Sequence, residues 1–394
     1  MYYSRKIEGQ LKKNLSSKQA IIVTGMRRVG KTTVLRELYN AVPDNKIWFD
    51  FENPLDVKYF EDIDYNEIYQ NIVQKGNLNT LRRMYVFIDE VQLYPNISKI
   101  VKYLIDHYKV KFLLTGSASY YLKNLFPESL AGRKIIFEMY PLDFEEFLIF
   151  KKENEARYQK IKNKKNISEL DYELYDAYYR EFVEWGGFPE VALTTDKNIK
   201  QQRLEDIFGS YYQQEIINLA DYRKGNKVRD LIMLLAARVG SQLDLVKLSQ
   251  ELQIQRTTVY SYLAFLKATY FIHLVSRLSS SIDREVSGTQ KVYFCDNGIL
   301  KVMSGISAGQ LLENTVYNQL KTKGSVSYFR KKSGAEIDFI LNKKTAYEVK
   351  RTASPVDVHR IARVQRIAKL SQSFVVSQQY VKTGKDGVVF GQFL

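Results

Sequence analysis

The sequence is nearly free of cysteine: Cys295 is the single thiol in 394 residues. One thiol builds no disulfide framework, so nothing points to a disulfide-stapled secreted protein. Cys295 closes the apolar run Val292-Tyr293-Phe294-Cys295, a strand pattern, and is expected to be buried and inert. No run approaches the ~18 apolar residues of a membrane-spanning helix, so no membrane partner is expected. The opening Met1-Tyr2-Tyr3-Ser4-Arg5-Lys6 leads into polar residues without the apolar stretch of a secretory signal. The cytoplasm is the expected compartment. Internal repeats and low-complexity tracts are also missing, which leaves ordinary globular domains, roughly two to four at this length.

What is present is a large core and a skewed charge. The apolar fraction is 45%, with 29 Tyr and 21 Phe, as expected for an extensive core with amphipathic rings at its surface. The formal net charge is +15. From Lys291 to Leu394 there are 17 Lys and Arg against 7 Asp and Glu, so two thirds of the excess lies in the last quarter. A basic surface attracts phosphate backbones by charge neutralisation and counterion release. A solubilising surface has the same composition.

Residues 20 to 140 alternate strand and helix patterns. Ala20–Thr24, Lys46–Phe51, Tyr85–Ile88, Val110–Leu114 and Lys134–Phe137 read as short apolar strands, and a helix is expected from about Lys31 to Tyr39. Near-continuous apolar strands separated by helices predict a parallel sheet covered on both faces. From about 143 to 240 the pattern is helical. Lys151–Lys165 is dense in charge and is expected to be a solvated helix or linker that marks a domain boundary. Trp185-Gly186-Gly187-Phe188-Pro189 reads as a turn between helices.

Residues 241 to 296 have a winged-helix pattern. Asp244–Leu252 and Gln255–Thr269 give two helices about a tight turn at Gln253-Ile254. Strands at Phe271–Val275 and Lys291–Cys295 then flank a Ser/Gly-rich loop, the expected wing. Gln255, Arg256, Thr257, Thr258 and Tyr260 fall near the start of the second helix, where recognition helices contact bases. Such modules also serve as protein–protein spacers, and both readings stay open.

Gly25-Met26-Arg27-Arg28-Val29-Gly30-Lys31-Thr32 fits G-x-x-x-x-G-K-[ST] between a strand and a helix. Glycines let the backbone wrap a phosphate, and the amides and helix N-terminus supply a positive field. Gly25, Arg27, Arg28, Val29, Gly30, Lys31, Thr32 and Thr33 are therefore the candidate residues for ATP. Lys31 is expected to reach the β- and γ-phosphates and Thr32 to ligate Mg²⁺. Val86-Phe87-Ile88-Asp89-Glu90 is an apolar strand ending in two acids. Asp89 is expected to hold the Mg²⁺ and Glu90 to act as general base on the attacking water. Acids at the end of a central strand sit where such a sheet binds its ligand. Thr115 or Ser117, in Leu114-Thr115-Gly116-Ser117, is the candidate γ-phosphate sensor. Arg133, in Leu130-Ala131-Gly132-Arg133, is a candidate for supplying positive charge in cis or to a neighbouring subunit, or an ordinary surface arginine.

On these residues the sequence resembles a bacterial and archaeal family of AAA-type ATPases that carries a C-terminal domain of unknown function. Pro141-Leu142-Asp143-Phe144-Glu145-Glu146-Phe147 and Gly186-Gly187-Phe188-Pro189 extend the resemblance over nearly the whole chain. It implies an AAA-type fold, ATP binding, and a winged-helix and nuclease-like C-terminus. Many AAA-type ATPases carry Asn at the end of the fourth strand, where this sequence offers Thr and Ser.

A second constellation lies near the C-terminus. Glu336–Leu341 and Ala346–Lys350 read as two strands about the turn Asn342-Lys343-Lys344, and an antiparallel hairpin brings Asp338 near Glu348. Glu348 and Lys350 share a face. Glu313 lies upstream on a helix whose apolar stripe is Leu312, Val316 and Leu320. This order resembles the restriction-endonuclease-like nucleases. The resemblance implies Asp338 and Glu348 as metal ligands, Glu313 as an auxiliary ligand and Lys350 as the catalytic lysine. A cross-strand ion pair between Glu348 and Lys350 is the plain alternative.

The expected fold class is thus α/β multidomain. A P-loop AAA-type parallel-sheet domain takes residues 1–150, a helical region 151–240, a winged-helix domain 241–297 and a restriction-endonuclease-like α/β domain 298–394. The expected function is ATP hydrolysis coupled to DNA binding, with a metal-dependent nuclease site. The alternative is an ATP-gated DNA- or protein-binding switch with an inactive nuclease fold. AAA-type sites often borrow a neighbour's arginine, so a homo-oligomer fits either reading.

Overall fold

A computed structural model describes residues 2–117, 132–217, 225–279, 288–303, 305–331, 334–382 and 387–394. The chain divides into two compact units, one of residues 1–140 with 268–270, the other of 141–267 with 271–394.

The first unit is built on five parallel strands: β1 (Ala20–Thr24), β2 (Lys46–Asp50), β3 (Met84–Asp89), β4 (Val110–Gly116) and β5 (Lys134–Glu138), in the order β2-β3-β4-β1-β5. Every residue of β1 and β4 is buried, as strands covered on both faces must be. Ile22, Phe49, Val86, Ile88, Phe112 and Leu114 from the sheet share one core cluster with Ile68, Ile72, Ile97, Ile100 and Leu104 from helices Tyr65–Gly76 and Ile97–His107. Register fixes what the strand ends present. Val23 pairs with Thr115, Ile88 with Leu114 and Asp50 with Asp89, so the carboxyl ends of four strands lie side by side. Lys134 pairs with Ala20, and Ala20 N donates to Arg133 O, which puts Arg133 at the opposite edge of the sheet.

The second unit joins three of the ranges expected from the sequence. Helices Glu155–Lys162 and Glu169–Trp185 pack with the end of the chain. Tyr158 hydroxyl donates to Gln392 O at 2.6 Å, Gln392 Nε2 donates to Tyr172 O at 2.7 Å, and Phe393 stands against Tyr158 and Tyr175. The expected solvated stretch is therefore corrected. Its helix buries Tyr158 and Ile161, one turn apart, among the aromatic rings around Phe144 and Tyr175.

Helices Leu245–Leu252 and Arg256–Ala268 meet at Gln253, whose φ of 54° is left-handed. They precede the antiparallel pair β6 (Ile272–Ser276) and β7 (Gln290–Phe294), and Gln242 bridges to Lys291 beside it. Most of the expected wing, 280–287, lies outside the described residues, as do Leu130 and Ala131. Cys295 is buried, and burial pushes its thiol well above the ordinary range, as an inert thiol requires.

The last sheet contains β8 (Val326–Arg330), β9 (Glu336–Leu341), β10 (Thr345–Lys350), β11 (Gln372–Ser377) and β12 (Val388–Phe390), in the order β12-β11-β10-β9-β8. β8, β9 and β10 run antiparallel, whereas β10, β11 and β12 are parallel, with helix Pro355–Ile367 crossing from β10 to β11. Among the described residues no helix is long and apolar enough to cross a membrane.

Candidate functional site

The loop between β1 and helix Lys31–Ala41 is held from two sides. Gly25 has φ +153°, and a Cβ there would stand 2.0 Å from Met139 O, so only glycine fits. Arg5 is buried below the loop, with Nη1 donating to Val29 O at 2.7 Å and Nη2 to Tyr140 O at 2.8 Å. Arg28, at φ 65°, turns the chain. Lys31 is buried, and its ammonium donates to Gly25 O and Met26 O, both at 3.0 Å. The lysine thus occupies its own loop. Val29 is buried, whereas Thr33 is exposed on the first turn of the helix.

Asp89 closes the opposite side. Burial raises its pKa, and hydrogen bonds from the Thr115 and Thr32 hydroxyls work against that rise. Thr115 Oγ1 also accepts from Glu90 N at 3.1 Å, so one threonine links both acids. Glu90 sits at φ 53°, a left-handed turn that ends the strand. Gln92 Nε2 donates to the Glu90 carboxylate and, at 3.1 Å, to Ser117 Oγ. Of the two sensor candidates, Thr115 touches Asp89 and Ser117 touches Gln92.

Asp50, at the end of β2, and Glu52, two residues beyond it, join them. Burial, then the charge of Glu90, raises Glu52, while Arg27 opposes the rise from 3.9 Å. Arg133 does not reach this site: its Nε pairs with Asp106 at 2.6 Å at the opposite edge of the sheet. The expected role in cis is corrected on that ground. Arg5, Glu52 and Gln92 were missed. Asp50-Phe51-Glu52, an acidic strand end, was the available signal for Glu52, but neither Arg5 nor Gln92 has a local signature. The donor set suits a magnesium nucleotide: a glycine-bent loop, a helix N-terminus without acids in its first turn, a threonine hydroxyl and a buried carboxylate.

The C-terminal acids are also brought together. Asp338 and Glu348 lie on adjacent strands, Val349 N donates to Asp338 Oδ2 at 2.9 Å, and Lys350 Nζ stands 2.9 Å from Glu348 Oε1. Arg360 contacts the same Glu348 oxygen. Glu313 accepts from Tyr293 hydroxyl at 2.7 Å, and a Cβ at Gly240, φ +77°, would stand 2.7 Å from its carboxylate. Burial, with Asp338 nearby, pushes Glu313 up to about 7, and burial also raises Asp338 and Glu348.

A residue absent from the expected set completes the cluster. Lys291 is buried, with Nζ 3.0 Å from Glu336 Oε1 and 3.9 Å from Glu313 Oε1. Although burial works the other way, Glu313, Asp338 and Glu336 hold its pKa above the ordinary value. Among the described residues no group of three or more His, Cys, Asp or Glu side chains is arranged to hold a metal ion. The protein's own cations face these carboxylates, so the fit to a divalent cation is poorer here than at Asp89.

Residues 17–148 match the family model of an AAA domain, and 176–310 and 308–390 match two models described as domains of unknown function. With the five-stranded parallel sheet, the first match supports an AAA-type P-loop ATPase domain. The uncharacterized protein MJ1544 of Methanocaldococcus jannaschii is 28% identical over 332 residues, 81% of this chain and 71% of that protein. An uncharacterized protein of Haemophilus influenzae is 25% identical over 389 residues, 93% of this chain and 91% of its own. The Thermotoga maritima RuvB Holliday junction branch migration motor aligns over 70% of this chain and 90% of its own, at 15% identity and a TM-score of 0.32. That likeness is too distant to carry an argument.

Proposed function

We propose that this chain is an ATP-hydrolysing switch whose nucleotide state governs how its second unit engages DNA. The carrying observation is the convergence of Thr32 and Thr115 hydroxyls on buried Asp89, on the strand end next to the P-loop. ATP draws Lys31 from the Gly25 and Met26 carbonyls to the β- and γ-phosphates, and the loop amides take the phosphate oxygens. Thr32 and Asp89 would hold Mg²⁺, which would supply charge neutralisation at the phosphates. Glu90, released from Gln92, orients and deprotonates the attacking water. Arg133 serves, on this reading, the site of a neighbouring copy in a homo-oligomer, since it stands at the far edge of its own sheet. The compartment is the cytoplasm.

Turnover and nucleotide binding test the site separately. Lys31→Ala loses both. Glu90→Gln keeps binding and loses turnover by at least about 100-fold, the usual scale of a general base. Full turnover in Glu90→Gln removes that role.

For DNA the support is the helix pair and antiparallel strands of residues 245–294, which suit a winged-helix reading, with Gln255, Arg256, Thr257 and Tyr260 exposed. The basic last quarter adds a backbone-binding charge. Arg256→Ala weakens binding of a labelled duplex; unchanged affinity excludes the helix as the contact.

A second reading is a metal-dependent nuclease site: the proximity of Glu313, Asp338, Glu348 and Lys350 supports it, and the cations Lys291 and Arg360 that already face these acids weigh against it. Cutting of labelled DNA in Mg²⁺ or Mn²⁺ that disappears in Asp338→Ala establishes it. Binding without cutting makes the fold an inactive one.

A further inference from the structure

We infer that the outer face of helix Pro355–Ile367 is a track for a nucleic-acid phosphate backbone, leading toward the carboxylate cluster at Glu348; this rests on the DNA reading above. The helix buries Ile361 and Val364 in the core formed with Ile337, Ala346 and Val375, and turns His359, Arg360, Arg363 and Arg366 outward. Lys369 continues the line past the helix end, exposed, at φ 56°. From 355 to 369 the sequence has these four cations, with His359, against Asp357 alone.

Solubilising surfaces mix both signs, and several surface cations of this protein are paired with acids, as Arg180 is with Asp176 and Lys75 with Asp56. Arg363 and Arg366 form no ion pair among the described residues. Arg360, at the inner end of the line, touches Glu348, so the stripe is continuous with the cluster that contains Asp338 and Lys350. From Arg360 to Lys369 a helical rise of about 1.5 Å per residue gives about 14 Å, the length of about four phosphates along one strand. Planar guanidinium groups suit phosphate oxygens in pairs. A single-sign stripe of that length fits a polyanion of regular charge spacing.

The test is binding of the full chain to a fluorescent ~20-nucleotide single strand and the matching duplex across a salt series. Arg363→Glu with Arg366→Glu, and separately the double Ala variant, are measured beside the wild type. The expected result is an affinity loss on the order of 10- to 30-fold near 0.15 M salt, and a salt slope smaller by about two. Restoration by the double Lys variant, and wild-type ATP turnover in all variants, accompany it. If the wild type binds DNA and the variants keep its affinity and slope, the track is overturned while the DNA reading stands. If the wild type binds no nucleic acid, both fall. If the variants lose binding to anionic lipid vesicles and not to DNA, the face belongs to a membrane surface and the inference is overturned.

Discussion

Asp89 in the first unit is buried among hydroxyl groups, whereas Glu313, Glu336, Asp338 and Glu348 in the second are grouped with Lys291, Lys350 and Arg360. Hydroxyl dipoles stabilise a carboxylate without cancelling its charge, so Asp89 keeps its attraction for an incoming cation. Ammonium and guanidinium groups cancel the charge they meet, so the second cluster is close to neutral as folded. The difference separates a site waiting for a ligand from one that the chain has filled with its own side chains.

Removing one acid from each cluster breaks the comparison most sharply. Asp89→Asn is expected to lower ATP turnover by at least about 100-fold, since several kcal/mol of charge stabilisation at the phosphates goes with the metal ligand. Asp338→Asn is expected to leave turnover at the wild-type value. Steady-state phosphate release measures both. Equal losses in the two variants contradict the separation.

The buried lysines sharpen it next. Lys291→Met leaves the half-buried Glu313, Glu336 and Asp338 without their shared cation and is expected to destabilise the second unit by about 2–3 kcal/mol, below the range for a fully buried pair. Lys31→Met removes the ammonium that donates to the Gly25 and Met26 carbonyls, and the loss is expected to be about 1 kcal/mol or less. Urea unfolding, followed by a probe in each unit, compares them. A stable Lys291→Met protein refutes the neutral-cluster account.

Much of the first site was legible because its information is local. A fully buried parallel strand is an apolar run, and the loop motif and the acids at the end of β3 lie within or beside such runs. In the second cluster the closeness of Asp338, Glu348 and Lys350 was legible because hairpin register follows from the turn at Asn342-Lys343-Lys344, whereas Glu313 comes to them from a helix outside that hairpin. Lys291 was not legible, since a lysine in a strand gives no sign of which side chains will face it from another sheet. Arg5 is likewise defined by carbonyls 24 and 135 residues away. The union of the helical region with the end of the chain depends on Tyr158, Tyr172 and Gln392, whose pairing spans over 200 residues. Charge density in Lys151–Lys165 concealed the two apolar anchors that decide how that helix packs.

Titration gives a smaller effect with a definite sign. Glu313 rises from 4.5 to about 7 on folding, chiefly through burial. The folded state then binds the proton more tightly than the unfolded state. This contribution to stability is fully present below pH 4.5 and is lost as pH rises through about 7. The wild type should lose up to about 1.4 kcal/mol per pH unit more across that window than Glu313→Gln, which cannot titrate. Parallel stability curves for the two proteins would remove Glu313 as the titrating group.

The smallest expected effect isolates one hydrogen bond. Tyr293 is buried, and its hydroxyl donates to Glu313 Oε1 at 2.7 Å. Tyr293→Phe keeps the ring, which stacks on Tyr317 with centroids 4.5 Å apart, and removes only the donor. A hydrogen bond to a charged acceptor contributes about 1.5–3 kcal/mol, and one to a neutral acceptor nearer 1. Because Glu313 changes from protonated to charged as pH rises through about 7, the loss in Tyr293→Phe should grow from pH 5 to pH 8. A loss that stays constant over that range means that Lys291, and not Tyr293, sets the charge state of Glu313.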